Sequence, residues 1–164
     1  MKNSILFISL ILVVLLFTSG KTRRAQEKNV NRADREIIEA ITYAYGLEGE
    51  LWDNESKMKS REDVFNLFRK GFSEEKAKDL ADYFWMEGTD TNGEHFEMLR
   101  AGDPVLIAPD SIEVLSKSED RAEALLKYEK SEEGPMTYKA HSVKVELRKE
   151  NGVWKIYQAE VRRF

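Results

Sequence analysis

The sequence predicts an α+β fold in which helices come first and antiparallel strands follow, the whole preceded by a signal or anchor segment. Three observations carry this reading. Apolar residues recur at helical spacing between residues 32 and 86. From about residue 94 the segments become short and strand-like. Near the end, Asn151-Gly152 sits between two extended runs, which is a strong hairpin signal. Helices followed by a run of strands is the order of an α+β domain rather than of an alternating α/β one.

The N-terminus opens with Met1-Lys2-Asn3-Ser4. An apolar run from Ile5 to Phe17 follows, broken only by Ser9, and then Thr18-Ser19-Gly20, Lys21, Arg23 and Arg24. A membrane span needs about 20 apolar residues, whereas a signal-peptide core needs roughly 7–15. Cleavage after Gly20 would place Thr18 and Gly20 at the small-residue positions. Left uncleaved, the segment is a short N-terminal anchor, although its more basic following flank argues against a domain held outside. Residues 1–20 are thus expected to be a signal peptide or N-terminal anchor, 21–31 a polar tether, and 32–164 a single α+β domain. The expected location is extracytoplasmic, secreted or anchored at the cell membrane.

The first helix is expected over residues 32–46, with Ile37, Ile38, Ile41, Ala44 and Tyr45 on one face and Gly46 and Gly49 ending it. Ser60 with Asp63 three residues on resembles a capping box. Val64, Phe65, Leu67 and Phe68 form the apolar side of the helix it opens, and Gly71 closes it. Ser73 caps the next helix, and Glu74 and Glu75 suit its positive first turn. Its face is Ala77, Leu80, Ala81 and Phe84, widened by Tyr83, Trp85 and Met86. Thr89-Asp90-Thr91-Asn92-Gly93 is a turn cluster. Ile112–Ser116 and Ala122–Tyr128 form a further strand pair, although residues 121–130 also have helix composition. In the last hairpin the Asn-Gly loop sets Lys149 opposite Trp154 and Leu147 opposite Ile156. Extended without a bulge, the same register sets Val145 opposite Gln158, Val143 opposite Glu160 and His141 opposite Arg162.

Composition narrows function. The 164 residues contain no Cys, which excludes disulfides, thiol catalysis and Cys-ligated metal sites. The net charge is −4, and Lys2 is the only charged residue before Gly20, so the remainder is one unit more acidic still. That balance disfavours nucleic acid, whose binding rewards Lys and Arg through counterion release. The helix–turn–helix form of residues 60–85 does not change this, because its second helix begins with Glu74-Glu75. Nucleophile-elbow, phosphate-loop, dinucleotide and zinc-protease motifs are absent. Asp90-Thr91-Asn92-Gly93 fails as a calcium loop, since alignment on Gly93 puts Gly88 and Leu99 at the end ligand positions. His95 and Glu97 share a strand face and could ligate a metal, but the sequence shows no third ligand beside them. A solvated surface pair is the expectation, and no metal or cofactor is implied.

Asn151-Gly152-Val153-Trp154-Lys155-Ile156 resembles the Gly-x-Trp-Lys-Ile hairpin that closes many domains of the nuclear transport factor 2-like, or cystatin-like, superfamily. The chain as a whole resembles small exported proteins of bacilli. The superfamily resemblance implies N-terminal helices packed on a curved antiparallel sheet, a cone-like fold with a pocket. On the bulge-free register, the apolar face of the last hairpin turns polar away from the loop, at His141, Gln158, Glu160 and Arg162. These four are the candidate ligand-binding residues. They either meet solvent where the strands leave the core or form the polar end of a cone pocket, where steroid isomerases of the superfamily place an acid and a base.

The expected function is a non-enzymatic binding or interaction domain at the cell surface. Its partner would be a protein or small ligand outside the cytoplasm, with no nucleic acid and with the membrane met only through the N-terminal segment. Two alternatives stay open: a small-ligand carrier or isomerase-like enzyme using a cone pocket, and an accessory subunit of a membrane assembly.

Overall fold

Helix α1 (Arg32–Asp53) is built on a stripe of Ile37, Ile41, Ala44, Leu47 and Leu51, all fully buried or nearly so. The computed structural model describes residues 32–102, 104–132 and 137–162; the expected signal or anchor segment and tether lie outside them. Gly46 and Gly49 do not end the helix, as the sequence predicts, but sit inside it. Each costs about 1 kcal/mol relative to Ala in a helix. Burying Leu47 and Leu51 on the same stripe outweighs that, because a fully buried Leu contributes roughly 1.5–3 kcal/mol.

A 3₁₀ turn (Glu55–Lys57) leads to α2 (Arg61–Phe68), and α3 (Glu74–Phe84) follows. Both caps form. Ser60 Oγ accepts the Asp63 backbone N–H at 3.2 Å, and the Asp63 carboxylate accepts the Ser60 hydroxyl and the Lys59 N–H, both at 2.9 Å. Ser73 Oγ accepts the Lys76 N–H at 3.3 Å. The α3 helix stops at Phe84 rather than running through Met86. Trp85 is already extended (φ −102°, ψ 129°) and opens β1 (Trp85–Thr89), where it pairs with Leu99 of β2 (His95–Leu99). Both members of that pair are buried, a packing gain that continuing the helix would forgo. The β1–β2 turn is held by Asp90 Oδ1, which accepts the N–H groups of Asn92 and Glu94 at 2.8 Å, and by Gly93 at φ +85°.

The second sheet has four antiparallel strands in sequence order: β3 (Ser111–Lys117), β4 (Arg121–Tyr128), β5 (His141–Glu150) and β6 (Val153–Arg162). Residues 121–128 are strand, not helix. Ala122, Ala124, Leu126 and Tyr128 alternate into the core opposite Leu147, Val145, Val143 and His141. The helices cover this inner face, and one hydrophobic cluster joins the two layers. The outer face is a charge ladder, with Lys127–Glu113 and Lys144–Glu123 at 2.6 Å and Arg148–Glu146 at 2.8 Å. Such exposed and half-exposed pairs contribute little stability each and keep the face wet.

The final hairpin has the expected type I′ loop, with Asn151 at φ 51° and Gly152 at φ 83°. Its bulge-free register holds only as far as Leu147 opposite Ile156. Tyr157 is then an extra residue, a β-bulge. Beyond it Gln158 faces Glu146, Ala159 faces Val145, Glu160 faces Lys144, Val161 faces Val143 and Arg162 faces Ser142. On the outer side the Tyr157 hydroxyl donates to Glu150, and the Arg148 guanidinium lies 4.5 Å from its ring centre. The physical reason for the switch is the inner face. Val145 is fully buried, and without the bulge the strand would set Gln158 and Glu160 on its apolar side.

Residues 71–73 stitch the helices to the sheet. The Ile156 N–H donates to the Gly71 carbonyl at 3.0 Å, and the Ser73 N–H donates to the Ile156 carbonyl at 2.9 Å. The edge of β6 is therefore covered at Ile156. Among the described residues nothing pairs with that edge beyond it.

Candidate functional site

The bulge decides where the four candidate residues lie. His141 is on the inner face, paired with Tyr128. Gln158 and Glu160 are exposed on the outer face, opposite Glu146 and Lys144. Arg162 pairs through its backbone with Ser142, and its side chain is outside the described residues. The sheet thus separates His141 from Gln158 and Glu160 instead of gathering them. In particular, it does not bring His141 and Glu160 together as a facing acid and base.

His141 has different company. Its ring stacks on Tyr128 (centroids 4.6 Å apart, 3° between planes) and meets Tyr138 edge-on at 5.7 Å. Its Nδ1 lies 2.9 Å from the Lys139 carbonyl, which can only accept, so Nδ1 carries the proton. The Tyr128 hydroxyl donates to the Ile107 carbonyl at 3.1 Å. Burial raises the phenol pKa values of both Tyr128 and its neighbour Tyr45, so both stay neutral hydroxyls at physiological pH. This group closes one end of the inner layer and ties the 105–110 segment to it. Glu48 ties the same segment from α1: its buried carboxylate accepts the N–H groups of Val105 at 2.9 Å and Leu106 at 2.6 Å. Sequence reading missed this clamp, because nothing local marks a carboxylate whose partners are 57 and 58 residues away.

The other chemically capable group is on the β1–β2 hairpin. Register pairs Glu87 with Glu97 and Thr89 with His95, which sets Glu87, His95 and Glu97 on one face of the ribbon. Their ligating atoms all lie within 4.8 Å of one another, and all three side chains are exposed. His95 Nε2 is 3.2 Å from Glu97 Oε1. The carboxylate that the sequence does not show beside His95 and Glu97 is Glu87, a third group able to ligate. It is hidden in the sequence because residues 85–86 read as the continuation of α3, which conceals the strand that carries it.

Between the helices and the inner sheet face, the described residues form one buried hydrophobic cluster. Leu126, Val145 and Leu147 on the sheet and Ile37, Ile41, Val64 and Phe68 on the helices are all fully buried in one cluster. Open depressions lie at the β3–β4 turn beside Ser116, Arg121 and Glu146, between α1 and α2 beside Glu50, Asn66 and Lys70, and beside Ser131, Tyr138 and Lys139 next to the His141 group. Among the described residues no helix is long and apolar enough to cross a membrane. No family model, curated protein or solved structure matches the chain.

Proposed function

We propose that this protein is an extracytoplasmic, non-enzymatic binding domain at the cell surface, and that it binds its partner through the open half of strand β6. The observation that carries the reading is the single hydrophobic cluster between helices and sheet. Helix side chains and the inner sheet face share it, which supports a domain that binds through its surface. The apolar Ile5–Phe17 run supplies the compartment.

Past Ile156, β6 has no strand partner on its outer edge among the described residues, and it carries two exposed apolar residues, Ala159 and Val161, on the side that its neighbours Val143 and Val145 bury. Val161 is 57% exposed. A free strand edge is a template for an added strand. The partner that fits is an extended segment of another protein, its main chain pairing with β6 and alternate side chains resting on Ala159 and Val161.

A photo-crosslinking residue placed at position 161, in intact cells that make the protein, tests this directly. A discrete adduct is expected at 161 and not at the exposed control position 119. Equal labelling at the two positions, or none at 161, would overturn the assignment of the β6 edge.

A further inference from the structure

We infer that Glu87, His95 and Glu97 form a divalent-metal site of the one-imidazole, two-carboxylate class, carried entirely by the β1–β2 hairpin. Glu87 and Glu97 are directly opposite each other on neighbouring strands. Like charges in that position destabilise a sheet pair. Turn chemistry fixes the register through Asp90 and Gly93, and the buried Trp85–Leu99 pair pins the other end, so the two carboxylates cannot slip apart. His95 stands two residues from Glu97 on the same face, its Nε2 turned to Glu97 Oε1. Arg61 feels the charge of Glu87, but its guanidinium is already paired with Asp82.

The donor set selects the ion. One neutral imidazole and two carboxylates carry a charge of −2, which a divalent cation balances. A nitrogen donor disfavours Ca²⁺ and Mg²⁺, which take oxygen ligands, and favours an imidazole-binding ion such as Zn²⁺. Three ligands from two strands leave coordination positions open. Closing from the present separations, all within 4.8 Å, to metal-bound ones needs only side-chain rotation, because the groups are exposed. Such an ion would lock the hairpin and offer an open coordination position at the surface.

The test uses the chain's two histidines, His95 and His141. ZnCl₂ is titrated into the metal-free protein in a non-chelating buffer. Calorimetry reads the affinity and NMR of ¹⁵N-labelled imidazoles reads the ligand. Saturable one-to-one Zn²⁺ binding in the micromolar range is expected, with the His95 ring perturbed and the His141 ring unmoved. His95→Ala and Glu87→Gln should each weaken it at least tenfold, with the amide spectrum of the rest of the domain unchanged. Binding that survives Glu87→Gln intact would reduce the site to a lone surface histidine and overturn the inference. So would perturbation of His141 instead of His95, or no saturation by millimolar Zn²⁺.

Discussion

Gly71 lies against Ala44: a Cβ built on Gly71 would be 2.8 Å from both the Cα and the Cβ of Ala44. This contact lets residues 71–73 pass close to α1 and still reach β6 at Ile156. Gly71 is thus needed for space, not for an unusual backbone angle. Gly71→Ala should destabilise the domain by about 1–3 kcal/mol, the usual cost of overpacking. Urea denaturation measures it, and an unchanged midpoint would show that α1 and the 71–73 segment separate easily.

The two glycines inside α1 should behave in the opposite way. Gly46 and Gly49 are exposed, and an added Cβ at either meets nothing within 4 Å. Gly46→Ala and Gly49→Ala should each stabilise by about 0.5–1 kcal/mol through helix propensity and a less flexible unfolded chain. A fall in melting temperature for either variant would mean that the bare backbone there meets something the helix alone does not explain.

What the sequence reveals divides by the range of the signal. The Ser60 and Ser73 caps, the turn at Asp90–Gly93 and the Asn151-Gly152 loop are decided within a few residues, and each forms as read. The helix order and strand order follow from periodicity, which is also local. The continuation of α1 through Gly46 is not legible, because a breaker's cost of about 1 kcal/mol is overruled by tertiary burial of Leu47 and Leu51. The bulge at Tyr157 is not legible either. It answers to the burial of Val145 across the hairpin and to the contacts of Tyr157 with Glu150 and Arg148, and it moves Gln158 and Glu160 away from His141. Glu87 escapes for a related reason: its neighbours Trp85 and Met86 extend a helical face on paper, while the buried pairing of Trp85 with Leu99 makes them strand.

Trp154 should be a keystone. It is buried beside the tight turn, with the Lys117 and Lys149 ammonium groups 5.5 and 5.4 Å from its ring centre. Trp154→Ala should cost about 3–5 kcal/mol, as for other buried aromatics. Chemical denaturation would detect this readily, and a loss below about 1 kcal/mol would place the indole outside the cooperative core.

The α2 cap should respond to acid. The Lys59 backbone N–H, and after it the Ser60 hydroxyl, hold the Asp63 carboxyl pKa below the ordinary Asp value. A depressed carboxyl pKa stabilises the fold above the unfolded value of about 3.9. That contribution is lost as pH falls from there through the lower folded value. Asp63→Asn should therefore be less stable than the parent at pH 7, and the gap should narrow as the pH is taken below 3. A gap that stays constant across this range would assign the effect to shape rather than to charge.

The most direct test of the proposal that the domain works outside the cytoplasm is intact-mass analysis of the endogenous chain after cell fractionation. The chain is expected in the medium, cleaved near Gly20, or in the membrane fraction at full length with its folded part open to added protease. Full-length chain recovered from the soluble cytosolic fraction would contradict the account.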